Sequence, residues 1–532
     1  MTQSLRKVAL MLATFMVACA AMNHAPAGVA TWSGGGGNNS WSTASNWSTV
    51  PDTSGTWSLI FGGNTRTTNT NDIGTITFGT MSFTNNGTTG TSAYTLSGSS
   101  LAFTNGTIIT SATTAGSAIT DTIGNALSLT GSNTLNFGAG HNITISGNIT
   151  GAGSLTKTGD GSLFLTGSNS QSGTTYITGG NIRTGGGGSS TGSNNYAFGT
   201  GDVIVSGSGT LTIRNGSTVG NNLTIGGSGW TASNSSLFGS FASSSTTAVV
   251  SGSVSLSSSK MISTWGSPGV SGSRLSLAGP INLGSNTLTF SQVITSGTPA
   301  VVNAPTTWIT VGGTIGGSGS VIVNGTANVY LNGVNTYAGS TTVQSGVLGG
   351  NGTIVGDVIV QSGAMLTPGS AANTTGALGV GSLQLNPGAV AAMEITGTSS
   401  GLYDQIVGSS SVDYGGGTLA LSLSGSYSND TNFFLFNGFS SHLGQLGSIT
   451  LSASSPYSGL TFTRDVHGDW WTDWTAGHQQ ILMFSESTGT LSVVPEPSTI
   501  VFAGIGLALM GWQRLAKRRR AARSAADAIA AV

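Results

Sequence analysis

Charge is scarce in this chain: Asp, Glu, Lys and Arg make up 6% of its 532 residues, against about 25% in an ordinary soluble domain. The few charges are unevenly placed. Arg6 and Lys7 sit near the N-terminus, and Arg514, Lys517, Arg518, Arg519, Arg520 and Arg523 near the C-terminus. The long body between them keeps seven basic against fifteen acidic residues, a net charge of −8. Nucleic-acid binding needs clustered Lys and Arg, so this body excludes it. Cysteine is scarcer still, with the single Cys19 inside an N-terminal apolar segment. A mature body without cysteine has no disulfide and no thiolate metal site, and rests on its backbone ladder and packing. Long apolar runs are missing too. Val8–Ala21 and Thr499–Trp512 are fourteen residues each, about 21 Å of helix against ~30 Å of hydrocarbon.

Glycine is abundant, at 86 residues, and comes with Ser, Thr and Asn. Disorder of this composition usually carries high net charge and few β-branched residues. Here the net charge is −1, and short alternating runs such as Val203-Ile-Val205, Leu211-Thr-Ile213 and Leu223-Thr-Ile225 recur between Gly, Asn and Ser turns. The pattern predicts an all-β fold. Spacing alone fits a sandwich as well as a solenoid. Three features favour the solenoid. The run lasts over 300 residues, more than one sandwich uses; uncharged polar residues suit ladders stacked between coils; and each coil packs only on its neighbours, so no central apolar mass is needed.

The two ends read as export signals. Arg6-Lys7 form a positive region, Val8 to Ala21 an apolar one, and Ala25-Pro26-Ala27 a cleavage site before Gly28, the pattern removed by signal peptidase after Sec-dependent export. A lipoprotein signal ending at Cys19 and a retained N-terminal anchor are the rival readings. The other end runs Pro495-Glu496-Pro497-Ser498, then the apolar segment, then the Arg/Lys cluster. That cluster is expected to stay cytoplasmic, as a stop-transfer signal, and to leave everything before Pro495 outside. These three parts in order resemble the PEP-CTERM signal of Gram-negative bacteria, and Ser524 to Val532 extend beyond the usual end. The resemblance implies a short C-terminal transmembrane helix and processing near the motif by an exosortase, a membrane-embedded cysteine protease-like enzyme. A simple C-terminal anchor is the plainer reading.

The body repeats itself. Gly153–Asn169 aligns without a gap on Gly319–Asn335, an offset of 166 residues that continues through Gly173/Gly339, Thr175/Thr341, Gly180/Gly346 and Ile182/Leu348. Leu163/Val329 and Leu165/Leu331 lie two apart on one strand face, followed by glycine and Asn. The copy from Leu155 keeps Leu-Thr-Lys, Gly159, Gly161, Leu163, Leu165, Gly167, Asn169 and Gly173. It resembles the autotransporter-associated β-strand repeat. So do the early Trp32, Trp41 and Asn46-Trp47 pattern and the stretches Gly356–Gly369 and Tyr403-Asp404-Gln405-Ile406. The resemblance implies a right-handed parallel β-helix, without the strand-rich C-terminal barrel by which autotransporters export themselves. At ~24 residues per coil, residues 74–381 make about thirteen coils.

Catalytic motifs are few. Gly397-Thr-Ser-Ser-Gly401 and Gly188-Ser-Ser-Thr-Gly192 match G-x-S-x-G, and Ser154–Lys157 and Ser257–Lys260 match S-x-x-K, as chance alone supplies in so Gly/Ser-rich a chain. Asp121, Asp160, Asp202 and Asp357 stand far apart, and Lys157 beside Asp160 reads as a solvated turn. The stretch Arg464–Trp474, with His478 and Glu486 nearby, is either a sugar platform or metal site built on His467, Asp469 and Asp473, or a Trp-rich cap over the open end of the solenoid. We read it as the cap, with Trp32, Trp41, Trp47 and Trp57 closing the other end. No catalytic residue, metal or cofactor is expected.

The expected organisation is a signal peptide at 1–27, a Trp-rich cap at 28–73, solenoid repeats at 74–381, a C-terminal β region and cap at 382–490, the sorting signal at 494–523, and a tail at 524–532. The expected protein is not an enzyme. It passes through an inner-membrane-anchored intermediate to the cell surface or matrix, as a structural or adhesive component in an exopolysaccharide or biofilm setting. A polysaccharide-active β-helix enzyme and a carbohydrate-binding module are the alternatives.

Overall fold

The computed structural model describes residues 28–84, 93–111, 118–185, 194–214, 216–229, 237–241, 247–266, 274–294, 308–326, 328–473 and 480–495. The signal segment with Ala25 and Ala27, the tail from Glu496 onward and the expected helices at both ends lie outside the described residues, as do Trp474 and His478. Among the described residues no helix is long and apolar enough to cross a membrane. The chain divides into two compact units, residues 1–348 and 349–532.

The first unit is built of parallel sheets. Among its described residues the first two strands pair directly, and later strands pair with a strand further along the chain rather than with the next one. One sheet begins at Gly28–Trp32 and Thr56–Phe61 and reaches Ile315–Gly316; a second begins at Thr68–Asn71 and includes Thr341–Val343; a third starts at Thr218–Val219 and includes Asn328–Leu331. Up to Thr210–Ile213 the chain alternates mainly between two sheets, and from Thr218 it visits three in turn. Each strand therefore pairs with the strand one coil on, as in a β-solenoid. The residues explain the winding. Alternation puts every second side chain inward, so Ile143, Leu163, Ile182 and Leu211 stack in register through four successive coils, all fully buried. Each such aliphatic side chain contributes about 1.5–3 kcal/mol by leaving water. Outward positions carry hydroxyls that bond from coil to coil, as in Ser58–Thr80 at 2.8 Å, Ser82–Thr110 at 3.0 Å and Thr70–Ser97 at 3.1 Å.

Exposed sheet edges template aggregation, and the first edge is covered. Thr31 donates its amide to Ser48 Oγ and accepts from Ser48 N, a short 3₁₀ turn at Ala44–Asn46 folds the chain back, and Trp32 and Trp47 bridge antiparallel. Trp32, Trp41, Trp47, Phe61, Phe83 and Tyr94 form one buried aromatic stack, with neighbouring rings 5.0–6.2 Å apart.

The second unit has three parallel sheets, carried by Thr353–Ile354, Val358–Val360 and Ala364–Pro368 and ending at Phe436–Asn437, Ser441–Leu443 and Ser448–Leu451. Pairing then changes sense. Asn432–Phe434, Thr490–Pro495, Gln480–Ser485, Asp469–Thr472 and Phe462–Arg464 form an antiparallel sheet in that spatial order.

Candidate functional site: repeat turns, terminal sheet and sorting segment

The offset-related segments do the same physical work in both copies. Asn169 Oδ1 accepts the amide of Ile149 at 2.8 Å, and Asn335 Oδ1 accepts that of Ile315 at 3.1 Å, each twenty residues back. Both side chains are buried, where an unsatisfied amide is costly, so each Asn ties one coil to the previous one. A Cβ on Gly173 would lie 2.1 Å from the carbonyl oxygen of Gly153, and one on Gly339 2.4 Å from that of Gly319; only glycine lets the backbones of adjacent coils come so close. Leu155 pairs with Thr175, and Val321 with Thr341. A repeat is thus one coil and the start of the next, with a period of twenty residues rather than the expected ~24. Elsewhere the period stretches, to 34 residues between Thr326 and Gln292. The first copy lies across the first and second sheets, while the second copy uses the second and third and places Val334–Asn335 in a further parallel sheet.

Lys157 corrects one expectation. It is fully buried, not a solvated turn. Its ammonium donates to the carbonyls of Thr158 at 2.5 Å, Gly159 at 2.9 Å and Gly179 at 3.4 Å, and lies 5.1 Å from the centre of the Phe137 ring. Burial pulls its pKa down to about 7, against the opposing pull of Asp160.

Stacking also joins charges that are isolated in sequence. Asp121 Oδ2 lies 2.5 Å from His141 Nε2, both fully buried, while Asp121 Oδ1 accepts the amide of Tyr94 at 2.7 Å. Sequence inspection missed this pair, whose members lie twenty residues apart on adjacent coils. Asp404 is buried as well, with Oδ1 accepting from Gly376 N at 2.9 Å and Oδ2 from Glu394 N at 2.8 Å. Burial, opposed by those two bonds and assisted by the charge of Glu394, pushes its carboxyl up to about 7. Glu394 itself points outward into an open groove of about 210 Å³ lined by Thr367, Ala392, Ala420, Ser422 and Thr450, where burial raises its pKa.

The charged, Trp-rich stretch belongs to the terminal antiparallel sheet. Glu486 holds it together: Oε2 accepts from Arg464 Nε and Nη2 at 3.1 and 2.9 Å, and Oε1 accepts from Trp470 Nε1 at 2.8 Å and Leu446 N at 2.7 Å. Trp470 is 8% exposed, so its ring is not a platform for a sugar. Asp465 orders the hairpin tip by accepting from the amides of His467 and Asp469 and from Trp471 Nε1. Asp473 accepts the amide of Thr461 at 2.6 Å. Among the described residues no group of three or more His, Cys, Asp or Glu side chains could hold a metal ion. The strand Thr490–Pro495 closes this sheet from within, and its last residue is the first proline of Pro495-Glu496-Pro497.

Comparison with known proteins finds the same segments. The passenger-associated-transport-repeat family matches residues 155–183 and again 321–349, the two segments related by the 166-residue offset. The PEP-CTERM protein-sorting motif matches residues 493–520. The chain is also similar to the adhesin BmaC autotransporter of Brucella suis biovar 1 (strain 1330), 42% identical over 82 residues, which cover 12% of this chain and 2% of that protein. The chain therefore spans only a small part of that relative's length. The sorting motif implies an exosortase-like partner. The chain carries two passenger-associated-transport repeats in an all-β body of parallel sheets, followed by a PEP-CTERM protein-sorting motif.

Proposed function

We propose that this chain is an exported structural or adhesive component of the cell surface, wound as a right-handed parallel β-helix and delivered by an exosortase-like enzyme in an exopolysaccharide or biofilm setting. The observation that carries the reading is the pairing of two passenger-type repeats with a sorting motif on one chain. The right hand is the one that parallel strand crossovers almost always take. The similarity to an adhesin over 82 residues supports an adhesive role. Signal peptidase and the Sec machinery act on the N-terminal segment, with cleavage after Ala27, and an inner-membrane-anchored intermediate precedes release.

We place the protein outside the enzymes. Glycoside hydrolysis needs two carboxyl groups on one substrate. Glu394 faces its groove with hydroxyls and methyls, while the oxygens of Asp404 are taken up by backbone amides. That groove favours a second reading, a surface module that holds a polysaccharide by Glu394 and the hydroxyls of Ser422 and Thr450. Antibody labelling of intact cells tests the main reading. Full-length protein labels at the surface, and deletion of residues 494–523 abolishes the signal. Surface labelling unchanged by the deletion contradicts sorting. Adhesion or matrix retention unchanged in a strain lacking the gene contradicts the structural role.

A further inference from the structure

Thr490–Pro495 is an inner strand. Thr490, Leu491 and Ser492 pair with Phe434, Phe433 and Asn432 on one side, and Thr490 to Pro495 pair with Ser485 to Gln480 on the other. Val493 donates its amide to Thr431 O at 2.9 Å, and its carbonyl accepts from Asp430 N at 2.8 Å. Leu491 and Val493 are fully buried. The sorting motif begins at Val493, so its first three residues are part of the folded sheet. No spacer separates the body from the motif: the strand's last residue is followed directly by Glu496-Pro497-Ser498 and then the apolar run from Thr499.

A peptidase holds its substrate as an extended strand, by main-chain hydrogen bonds to the peptide. The main chain of Thr490–Val493 is already committed on both sides, so no such enzyme can take it up while the sheet is formed. A cut inside the strand would also remove the element between Asn432–Phe434 and Gln480–Ser485, uncovering Phe433, Leu482 and Phe484, which are fully buried in the intact sheet.

We infer that the folded terminal sheet is a gate on processing: it closes the chain through Val494, so that the tail is removed at or beyond the Pro495–Glu496 bond and the strand stays in the mature protein. The order is to fold first and be cut second. The step is a hydrolysis, in which water adds across one peptide bond, the C–N bond breaks, the body keeps a new carboxylate and the released tail a new amine. The inference rests on the sorting reading only for the identity of the enzyme, since the gate acts on any peptidase.

Digestion of the purified full chain with a broad-specificity protease, read by intact mass, is the direct test. The limit product should end at Pro495 or beyond, and one ending within Thr490–Val494 overturns the gate. Leu491→Pro, which removes an amide bonded within the sheet, should move the end upstream of Thr490; an unchanged end point in the folded variant overturns the gate. Where that variant fails to fold, amide exchange on the unaltered chain decides. The amides of Leu491 to Val494 should exchange at least about a hundredfold more slowly than unstructured chain, and exchange at the unstructured rate overturns the inference. The protein from the producing cell separates the two claims. A C-terminus within Thr490–Val494 contradicts the gate and leaves sorting standing. A retained Val532 on a chain whose strand resists protease contradicts sorting and leaves the gate standing.

Discussion

At the scale of single residues the repeat is a set of backbone requirements. Asn169 accepts from Ile149 N and donates to Ala197 O at 2.7 Å, and so serves the coils on both sides. Asn169→Ala leaves two buried backbone groups without partners, each costing about 1–3 kcal/mol. We expect the denaturation midpoint of the full chain to fall accordingly, and Asn169→Asp, which keeps only the acceptor, to fall between the two. Two buried charges make stability depend on pH in opposite senses. Asp404 is raised from 3.8 to about 7, so as pH climbs through that window the unfolded chain loses its proton first and the second unit is destabilised. Lys157 is lowered from 10.5 to about 7, so as pH falls through that window the unfolded chain gains its proton first and the first unit is destabilised. Asp404→Asn should flatten the stability profile between those pH limits on the acid side, and Lys157→Met on the alkaline side; urea denaturation against pH reads both. The glycines and Asn of the repeat are legible in the sequence because they recur in phase. The burial of Lys157 is not, because Gly179, one of its acceptors, lies 22 residues away on the next coil. For the same reason Asp121 looks solitary until His141 is stacked beside it.

At the scale of elements, the first edge of the stack demands closure, and tryptophan supplies it. Trp41 is fully buried, donates Nε1 to Asn69 Oδ1 at 2.7 Å and lies edge-on to Trp47, 5.2 Å away. Trp41→Ala should cost about 3–5 kcal/mol and expose the edge strand Gly28–Trp32, seen as faster amide exchange there and aggregation at lower temperature. Trp41→Phe keeps most of the packing and loses only the bond to Asn69, so it should cost clearly less. Trp32, Trp41, Trp47, Trp57 and Trp470 are buried, and that seven of the eleven tryptophans gather in the two Trp-rich segments can be read from the sequence. The antiparallel pairing of the last strands cannot. Nothing local distinguishes Gln480–Ser485 from a coil strand, and Glu486 gains its meaning only from Arg464, Trp470 and Leu446 converging on it.

At the scale of the whole chain, the repeat period organises the body, and a protein-sorting motif follows it. The 166-residue offset is plain in the sequence, and so is the all-β character that follows from alternating Val, Ile, Leu and Thr among glycines. The twenty-residue coil within each repeat is not, because turns of variable length stretch neighbouring coils and blur the period; the strand register and the Asn-to-amide bonds reveal it. Stacking in that register is the central claim, and a disulfide measures it. Thr156 pairs with Tyr176 across adjacent coils, with outward side chains half-buried and exposed, and parallel neighbours ~4.8 Å apart fall within the ~4.4–6.8 Å that a disulfide bridges. The double variant Thr156→Cys with Tyr176→Cys should close an intramolecular disulfide under mild oxidation while Thr156→Cys with Ser172→Cys does not, as read by mass after thiol labelling. Equal cross-linking of the two pairs, or none in the first, contradicts the stacked coils.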